Sequence, residues 1–182
     1  MITKFELDDN KKLFLISDTH FCHKNIISYT NRPFDNVQLM TETIIDNWNN
    51  TVTDEDQIIF LGDFVMGVKD PKYVSAHLYD CLNGIKIFIA GNHDSEEKRS
   101  DHFAWLEGIC ETEYRDHKLC LNHYPHTKEE LKEGYLHFHG HSHSTTKVHH
   151  ISNDINNFKL YNVACEALNY TPILFEDMIN EI

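Results

Sequence analysis

The sequence predicts a single-domain protein of the mixed α/β class, and three observations support that prediction. In the first half of the chain, apolar and β-branched runs alternate with segments whose apolar residues recur at helical spacing. In the second half, short apolar runs follow one another with fewer helical patterns between them. A length of 182 residues with 41% hydrophobic and 25% charged residues suits one buried core. We therefore expect one domain over residues 1–182, with mixed rather than purely parallel sheets.

Strands and helices are predicted to alternate in the first half of the chain. A short helix is expected over residues 21–29, and a longer one begins after Asp35 or Asn36, either of which can cap it. Asp70-Pro71 opens a further helix, because proline suits the first helical position, and Asn83-Gly84 closes it. The three predicted strands cover residues 13–17, 58–61 and 85–90.

The second half is predicted to contain one more helix and several short strands. The helix is expected over residues 95–106, and a hairpin follows with strands 109–114 and 118–121. A long loop is expected over residues 142–157, with a possible flap over 129–134. The remaining predicted strands cover residues 135–138, 160–163 and 173–175.

Composition excludes several classes of function. The formal net charge of −13 argues against a broad electrostatic surface for nucleic acid, although bound cations can reverse the field locally. The five cysteines form no C-x-x-C pair, which argues against a disulfide framework or a thiolate zinc site. The first twelve residues are polar, and no apolar run approaches the length of a membrane span. We therefore expect a soluble, cytoplasmic protein that does not enter a membrane.

Residue types that bind metal ions follow the predicted strands. Taken singly, each of them has an ordinary explanation in a turn or a helix cap, but their joint occurrence after strand ends favours an active site. Imidazole and carboxylate ligands together suit Mn, Fe or Zn better than Mg or Ca, and the set is too large for one tetrahedral ion. These residues are Asp18, His20, Asp63, Asn92, His93, Asp94, His123, His141 and His143.

Five short motifs, taken in order, resemble the metal-binding blocks of the calcineurin-like metallophosphoesterases. They are Asp18-x-His20, Gly62-Asp63, Gly91-Asn92-His93-Asp94, His123 and Gly140-His141-x-His143. The segments 18–27, 31–34 and 163–172 are similar to those of small bacterial and phage members. The resemblance implies a four-layer α/β/β/α sandwich of two mixed sheets around a dinuclear metal centre.

The resemblance also implies a role for each motif residue. His93 would lie near the substrate, as a general acid or a stabiliser of the transition state, and Asp94 would orient His93 or stabilise its charge. Asp63 would bridge the two ions. The first ion would be held by Asp18, His20, Asp63 and His143, and the second by Asp63, Asn92, His123 and His141.

The expected function is dinuclear-metal-dependent hydrolysis of a small phosphoester. The two divalent transition-metal ions are expected to be manganese, with iron, zinc or nickel as alternatives, and would activate a water for attack on phosphorus. A phosphodiesterase acting on a nucleotide-like or cyclic-nucleotide substrate is the leading hypothesis. The alternatives are a phosphomonoesterase, a nuclease acting on DNA or RNA ends, and a metal-stabilised binding scaffold without activity. The oligomeric state stays open.

Five polar residues next to the motifs are candidates for contacting the substrate. Four of them lie shortly after the first motif, and the fifth follows His123 by three positions. A solvated helix face explains the first four nearly as well as substrate binding does. The five candidates are His23, Lys24, Asn25, Arg32 and His126.

Overall fold

A computed structural model describes residues 2–152 and 156–180 of the chain. Eleven strands and four helices lie in that part. The strands are β1 Thr3–Lys4, β2 Leu13–Ile16, β3 Gln57–Phe60, β4 Ile85–Ile89, β5 Trp105–Leu106, β6 Cys110–Tyr114, β7 His117–Leu121, β8 Tyr135–His139, β9 Val148–Ser152, β10 Asn157–Asn162 and β11 Ile173–Leu174. The helices are α1 Ile26–Tyr29, α2 Val37–Thr51, α3 Pro71–Cys81 and α4 Phe175–Asn180.

A five-stranded sheet in the order β11-β2-β3-β4-β5 carries the two long helices on one face. Strands β2 to β5 are parallel, and only β11 runs antiparallel, beside β2. Helices α2 and α3 are the connections between β2, β3 and β4, so they cross over the sheet. Trp48 of α2 packs near Phe60, and Tyr79 of α3 packs near Phe88, with ring centroids 6.4 and 5.8 Å apart. Since Phe60 and Phe88 are paired in the sheet, both helices cover the same face.

The second sheet has six strands in the order β1-β6-β7-β8-β10-β9 and mixes both directions of pairing. It combines parallel pairs, such as β7 with β8, and antiparallel pairs, such as β6 with β7. Leu119, Leu121 and Phe138 of this sheet are buried in one apolar core with Leu15 and Ile59 of the first sheet. The protein is thus a mixed α/β structure with two mixed sheets, as the sequence predicts.

The opposite face of the six-stranded sheet bears Cys120 and His137, which pair with each other across β7 and β8. It is covered by segment 123–134: the Lys132 backbone N–H donates to His137 Nε2 at 3.0 Å, and the His126 ring lies 5.1 Å from the His137 ring. In the described residues no α-helix lies between β4 and β11. The outer helical layer that the resemblance implies on this side is therefore replaced by the 13-residue connection from β7 to β8, which contains turns and bends but no helix.

The prediction of a helix over residues 95–106 is wrong. The N–H groups of Lys98 and Arg99 both bond to Ser95 O, which makes a single turn. Phe103 then stacks on Tyr79 at 4.3 Å, and the extended residue Trp105 pairs with Phe88 as part of β5. Aromatic packing against α3 and β4 thus outweighs the helical tendency of this polar segment.

Several boundaries and caps agree with the predictions. The Asn36 side chain accepts a hydrogen bond from Leu39 N at the start of α2, and Asp70 does the same from Tyr73 N ahead of Pro71 in α3. The hairpin of β6 and β7 turns at Arg115, whose φ is 50°.

Other elements differ from the predictions in length or were not predicted. Helix α1 is confined to four residues, because the preceding segment makes turns with left-handed residues. Strand β9 lies inside the predicted loop 142–157, of which residues 153–155 fall outside the described residues. Strands β1 and β9 and helix α4 were not expected, and no described helix is long and apolar enough to cross a membrane.

Candidate metal centre

The five motifs meet where strands of both sheets end. Asp18 and His20 follow β2, Asp63 follows β3 and Asn92 follows β4. His123 follows β7, and the motif with His141 follows β8. Backbone hydrogen bonds tie these loops together: Asp18 N donates to Gly62 O at 2.9 Å and His20 N to Asp63 O at 3.0 Å. These hydrogen bonds hold the loops close together, so the motif side chains lie next to one another.

Five of the motif residues have positive φ angles, a strained backbone conformation for residues other than glycine. Asp18, His20, Asp63, His141 and His143 all adopt left-handed conformations, with φ of 56°, 47°, 61°, 63° and 48°. Such conformations cost a non-glycine residue on the order of 1–3 kcal/mol each and cluster at functional sites. They turn each side chain sharply out of its strand direction and towards the centre.

The carboxylate of Asp63 lies at the middle of the cluster. Its Oδ2 atom is 3.4 Å from His20 Nε2, 3.5 Å from His123 Nε2 and 3.9 Å from His93 Nε2. Its Oδ1 atom accepts a hydrogen bond from His93 N at 2.8 Å, which fixes the carboxylate plane. Three imidazoles from three loops thus point at one carboxylate oxygen.

Asn92, His123 and His141 form one side of the centre. Asn92 Oδ1 lies 2.9 Å from His123 Nε2 and 3.0 Å from His141 Nδ1. His123 Nδ1 lies 2.7 Å from Leu61 O, and an N–H donated there leaves Nε2 free to bind a metal ion. Burial lowers the pKa of His141, which favours the neutral form that binds metal.

Asp18 and His143 form the other side. Asp18 Oδ1 is 3.8 Å from His143 Nε2, while Asp18 Oδ2 accepts hydrogen bonds from Ser17 Oγ at 2.5 Å and from His141 N at 2.9 Å. Burial raises the pKa of Asp18 to about 6, since few water molecules remain to solvate its charge. Burial also disfavours the charged form of His20, and it therefore lowers the pKa of His20 strongly. The positive charges of His143 and Arg32 lower that pKa further.

The donor set fits divalent metal ions. The buried His20 Nε2 atom has no hydrogen-bond partner, although an unsatisfied buried group is costly. Two groups have ligand atoms within 4.8 Å of one another, namely Asp18, His20 and His143, and Asp18, Asp63 and His123. These groups share Asp18, whereas the sequence predicts Asp63 as the bridge. Asp63 Oδ2 lies almost equally far from His20 Nε2 and His123 Nε2.

Glycine is required where the loops touch. A Cβ on Gly91 would lie 2.3 Å from Asp63 Oδ1, and one on Gly140 would lie 2.3 Å from Asp18 Oδ2. Gly62 has φ of 96° and would place a Cβ 2.6 Å from His123 Nδ1. The glycines of the motifs thus make room for the central carboxylates.

Asp94 does not occupy the position that the sequence predicts. Its Oδ2 accepts hydrogen bonds from Asp63 N at 2.6 Å and Gly91 N at 2.9 Å, and its Oδ1 accepts one from Phe64 N at 3.1 Å. Both oxygens are therefore bound to backbone amides rather than to the His93 ring. Asp94 joins the loops after β3 and β4, and burial raises its pKa.

His93 lies at the open side of the centre, with its side chain 37% exposed. His23 packs beside His20, with their ring centroids 5.5 Å apart, and burial lowers the pKa of His23. Lys24 and Asn25 are exposed at the start of α1 and line a groove with the first residues of α2. Of these three residues, His23 is the one whose ring packs against a ligand residue.

The structure contradicts two of the predicted substrate contacts. Arg32 is buried, and its guanidinium bonds to Glu166, Thr19 O and Asp18 O, so neither substrate nor solvent reaches it. His126 belongs to segment 123–134, and its ring is buried against His137 on the outer face of the six-stranded sheet. Both side chains were placed near the site on sequence distance alone, which does not reveal the direction of a side chain.

Glu166 is a functional candidate that the sequence did not reveal. Its Oε1 atom accepts hydrogen bonds from Arg32 Nε and His143 Nδ1, both at 2.9 Å. Burial would raise the pKa of Glu166, but the His143 hydrogen bond and the Arg32 charge outweigh burial and lower it to about 2. Burial would lower the pKa of His143, but Glu166 and Asp18 outweigh that effect and raise it. No spacing pattern marks Glu166, because only the fold brings it to these partners.

The fold and the site define the class of the protein as a mixed α/β protein with a candidate metal centre. No family model matches the chain. The uncharacterized protein MJ1445 of Methanocaldococcus jannaschii is 39% identical over 180 residues, which cover 94% of this chain and 92% of that protein. The chain therefore belongs to the same family as MJ1445. The crystal structure of AQ665, a protein of unknown function from Aquifex aeolicus, shares the fold with a TM-score of 0.68 and 24% identity, covering 95% of this chain and 100% of AQ665.

Proposed function

We propose that this protein is a dinuclear-metal-dependent phosphodiesterase of the calcineurin-like metallophosphoesterase type. The observation that carries the proposal is the position of Asp63 Oδ2, which lies within 3.9 Å of an Nε2 atom of His20, His93 and His123. A carboxylate surrounded in this way, with a buried unpartnered His20 nitrogen beside it, suits a bridging ligand between two ions. The proposed fold is the family's sandwich, with segment 123–134 in place of the outer helices.

The ligand types support first-row transition metals. Asn92, Asp18 and Asp63 offer oxygen, and the remaining ligands offer imidazole nitrogen, a mixture suited to manganese, iron, zinc or nickel. When bound, the two metal ions would neutralise the charge on phosphoryl oxygens and lower the pKa of a water molecule. We propose manganese as the first ion to test, since the site is only partly nitrogenous.

The protein's own residues would supply the remaining chemistry. His93 is the exposed imidazole beside the Asp63 carboxylate, where it can donate a proton to the departing oxygen or bind a phosphoryl oxygen. Its backbone N–H is held by Asp63 Oδ1, so the ring is carried on a fixed loop. Asp94 keeps that loop in place through backbone amides and takes no part in proton transfer.

Exposed aromatic residues support a substrate with a flat group. Tyr124 is 46% exposed and its ring lies 4.6 Å from that of His141, at one side of the centre. Tyr29 is 72% exposed and lies 6.2 Å from the His23 ring, next to His20. Stacking on such rings suits a nucleobase. The net charge of −13 disfavours a long nucleic acid, so a small nucleotide-like or cyclic-nucleotide diester is the proposed substrate.

The test is a substrate panel with the manganese-loaded protein: bis-p-nitrophenyl phosphate, p-nitrophenyl phosphate, cyclic nucleotides and short oligonucleotides. We expect hydrolysis of the diesters, loss of activity with a chelator and recovery with manganese. Turnover of the monoester alone would favour a phosphatase. Turnover chiefly of oligonucleotides, falling steeply with salt, would favour a nuclease. A fully metal-loaded protein that cleaves none of the panel would reject the proposal in favour of a binding scaffold.

A further inference from the structure

We propose that Arg32 and Glu166 are positioning residues that set the affinity of the metal centre for the ion nearest His143. Neither residue was expected to act in this way, and the inference rests on the proposed metal centre. It concerns the affinity of the protein for one of the two metal ions, not the chemistry of the reaction.

Glu166 fixes the orientation of His143. The carboxylate Oε1 lies 2.9 Å from His143 Nδ1, and His143 Nε2 then faces Asp18 Oδ1 at 3.8 Å. An N–H donated from Nδ1 to a carboxylate leaves Nε2 as the lone-pair donor and makes it more basic. The ring is thus held in the one tautomer that presents nitrogen to the centre.

Arg32 connects Glu166 to the loop that bears the first motif. Its Nε and Nη2 atoms both lie 2.9 Å from Glu166 Oε1, while Nη1 donates to Thr19 O at 2.9 Å and Nη2 to Asp18 O at 2.7 Å. The Arg32 guanidinium therefore binds the Glu166 carboxylate, which holds His143, and also the backbone of the loop that carries Asp18 and His20.

These contacts fall where the backbone is strained. Asp18 and His20 have φ of 56° and 47°, and Thr19 between them gives its carbonyl to Arg32. A left-handed residue relaxes unless its surroundings hold it, and a multiply donating guanidinium is suited to hold carbonyl groups. The Arg32–Glu166 pair thus ties together three ligands from two separate loops.

A second buried carboxylate provides a matched control. Glu111 is as buried as Glu166, and its side chain forms an ion pair with Lys132, which lies nine positions after the proposed ligand His123 and outside all five motifs. Loss of charge at Glu111 therefore reproduces the cost of disturbing a buried ion pair without touching the centre.

The experiment compares Glu166→Gln, Arg32→Lys and Glu111→Gln with the wild-type protein after metal removal. Manganese binding is measured by calorimetry and by the electron paramagnetic resonance of free Mn²⁺, with circular dichroism as the check on folding. We expect the wild type to bind two ions, and Glu166→Gln and Arg32→Lys to bind one of them about 10–100-fold more weakly. Glu111→Gln should bind both as the wild type does.

A measurement without metal keeps the inference independent of folding losses and of activity. At a pH above the raised pKa of His143, nitrogen-15 resonances of His143 in the metal-free protein should show a protonated Nδ1 and a bare Nε2. Glu166→Gln should keep this tautomer, because an amide oxygen still accepts the hydrogen bond, and Glu166→Ala should lose it. Retention of the tautomer in Glu166→Ala would overturn the proposed role.

The outcomes separate this inference from the proposed function. Unchanged binding of both ions in Glu166→Gln, or an equal loss in Glu111→Gln, overturns the inference whether or not the wild type is active. A wild type that binds two ions and hydrolyses no phosphoester rejects the proposed function, and the loss of one ion in Glu166→Gln then still supports the positioning role.

Discussion

Replacing Asp94 is the sharpest test of how the loops around the metal centre are held. The carboxylate accepts three backbone N–H groups, from Asp63 and Gly91 on Oδ2 and from Phe64 on Oδ1. Asparagine has a single acceptor oxygen, so in Asp94→Asn at least one N–H faces an amide nitrogen. A hydrogen bond to a charged acceptor contributes about 1.5–3 kcal/mol.

The expected loss is smaller than that hydrogen bond alone. Burial raises the pKa of Asp94, so removing the charge also removes part of a desolvation cost. We expect Asp94→Asn to lower the free energy of unfolding by about 1–2 kcal/mol. Asp94→Ala leaves three backbone N–H groups without an acceptor and should lower it by about 3 kcal/mol or more. At about 2–4 °C per kcal/mol for a chain of this size, Asp94→Asn should lower Tm by about 2–8 °C.

The assay is urea unfolding of the metal-free protein, followed by manganese titration and steady-state kinetics. Asp101→Asn is the control, because the Asp101 side chain is 95% exposed and its ion pair with Lys72 is at 3.4 Å. An unchanged unfolding midpoint in Asp94→Asn, together with full metal content and a reduced kcat, would refute the structural role. Asp94 would then act on His93, as the sequence alone suggests.

Four further results are expected. His93→Ala should retain both ions in metal analysis while kcat falls by about 10²–10⁴, and equal turnover would show that His93 has no catalytic role. Gly140→Ala places a Cβ 2.3 Å from Asp18 Oδ2, so it should cost about 1–3 kcal/mol in urea unfolding and weaken manganese binding; a wild-type midpoint would mean that the loop yields freely. Glu166 has its pKa lowered from 4.5 to about 2, so its contribution to stability is fully present above about pH 4.5 and is lost as the pH falls towards 2. The destabilisation caused by Glu166→Gln should therefore shrink over that window in metal-free unfolding curves, and a constant difference would contradict it. Manganese at about 100 times its Kd should raise the free energy of unfolding by about 2.7 kcal/mol over the chelated protein, and identical melting curves would exclude a bound ion.

Much of the first half of the fold was predictable because its signals are local. The apolar runs of β2, β3 and β4, the Asn36 cap and the Asp70-Pro71 start all act within a few neighbouring residues. The prediction of a helix over residues 95–106 was wrong because the conformation there depends on distant contacts: Phe103 and Trp105 pack against α3 and β4. The loop in place of an outer helical layer was likewise not readable from apolar spacing.

The sequence by itself determined which donor groups follow the strand ends, and hence that Asp18, Asp63 and His123 belong to one candidate centre. Strand ends are positioned by the sheets, so residues just after them meet without further information. Only the tertiary structure decided that Asp94 serves backbone amides and that Arg32 turns inward to Glu166. The direction of a buried polar side chain depends on which partner can satisfy it in three dimensions, and that partner lies 30 residues away in one case and 134 in the other.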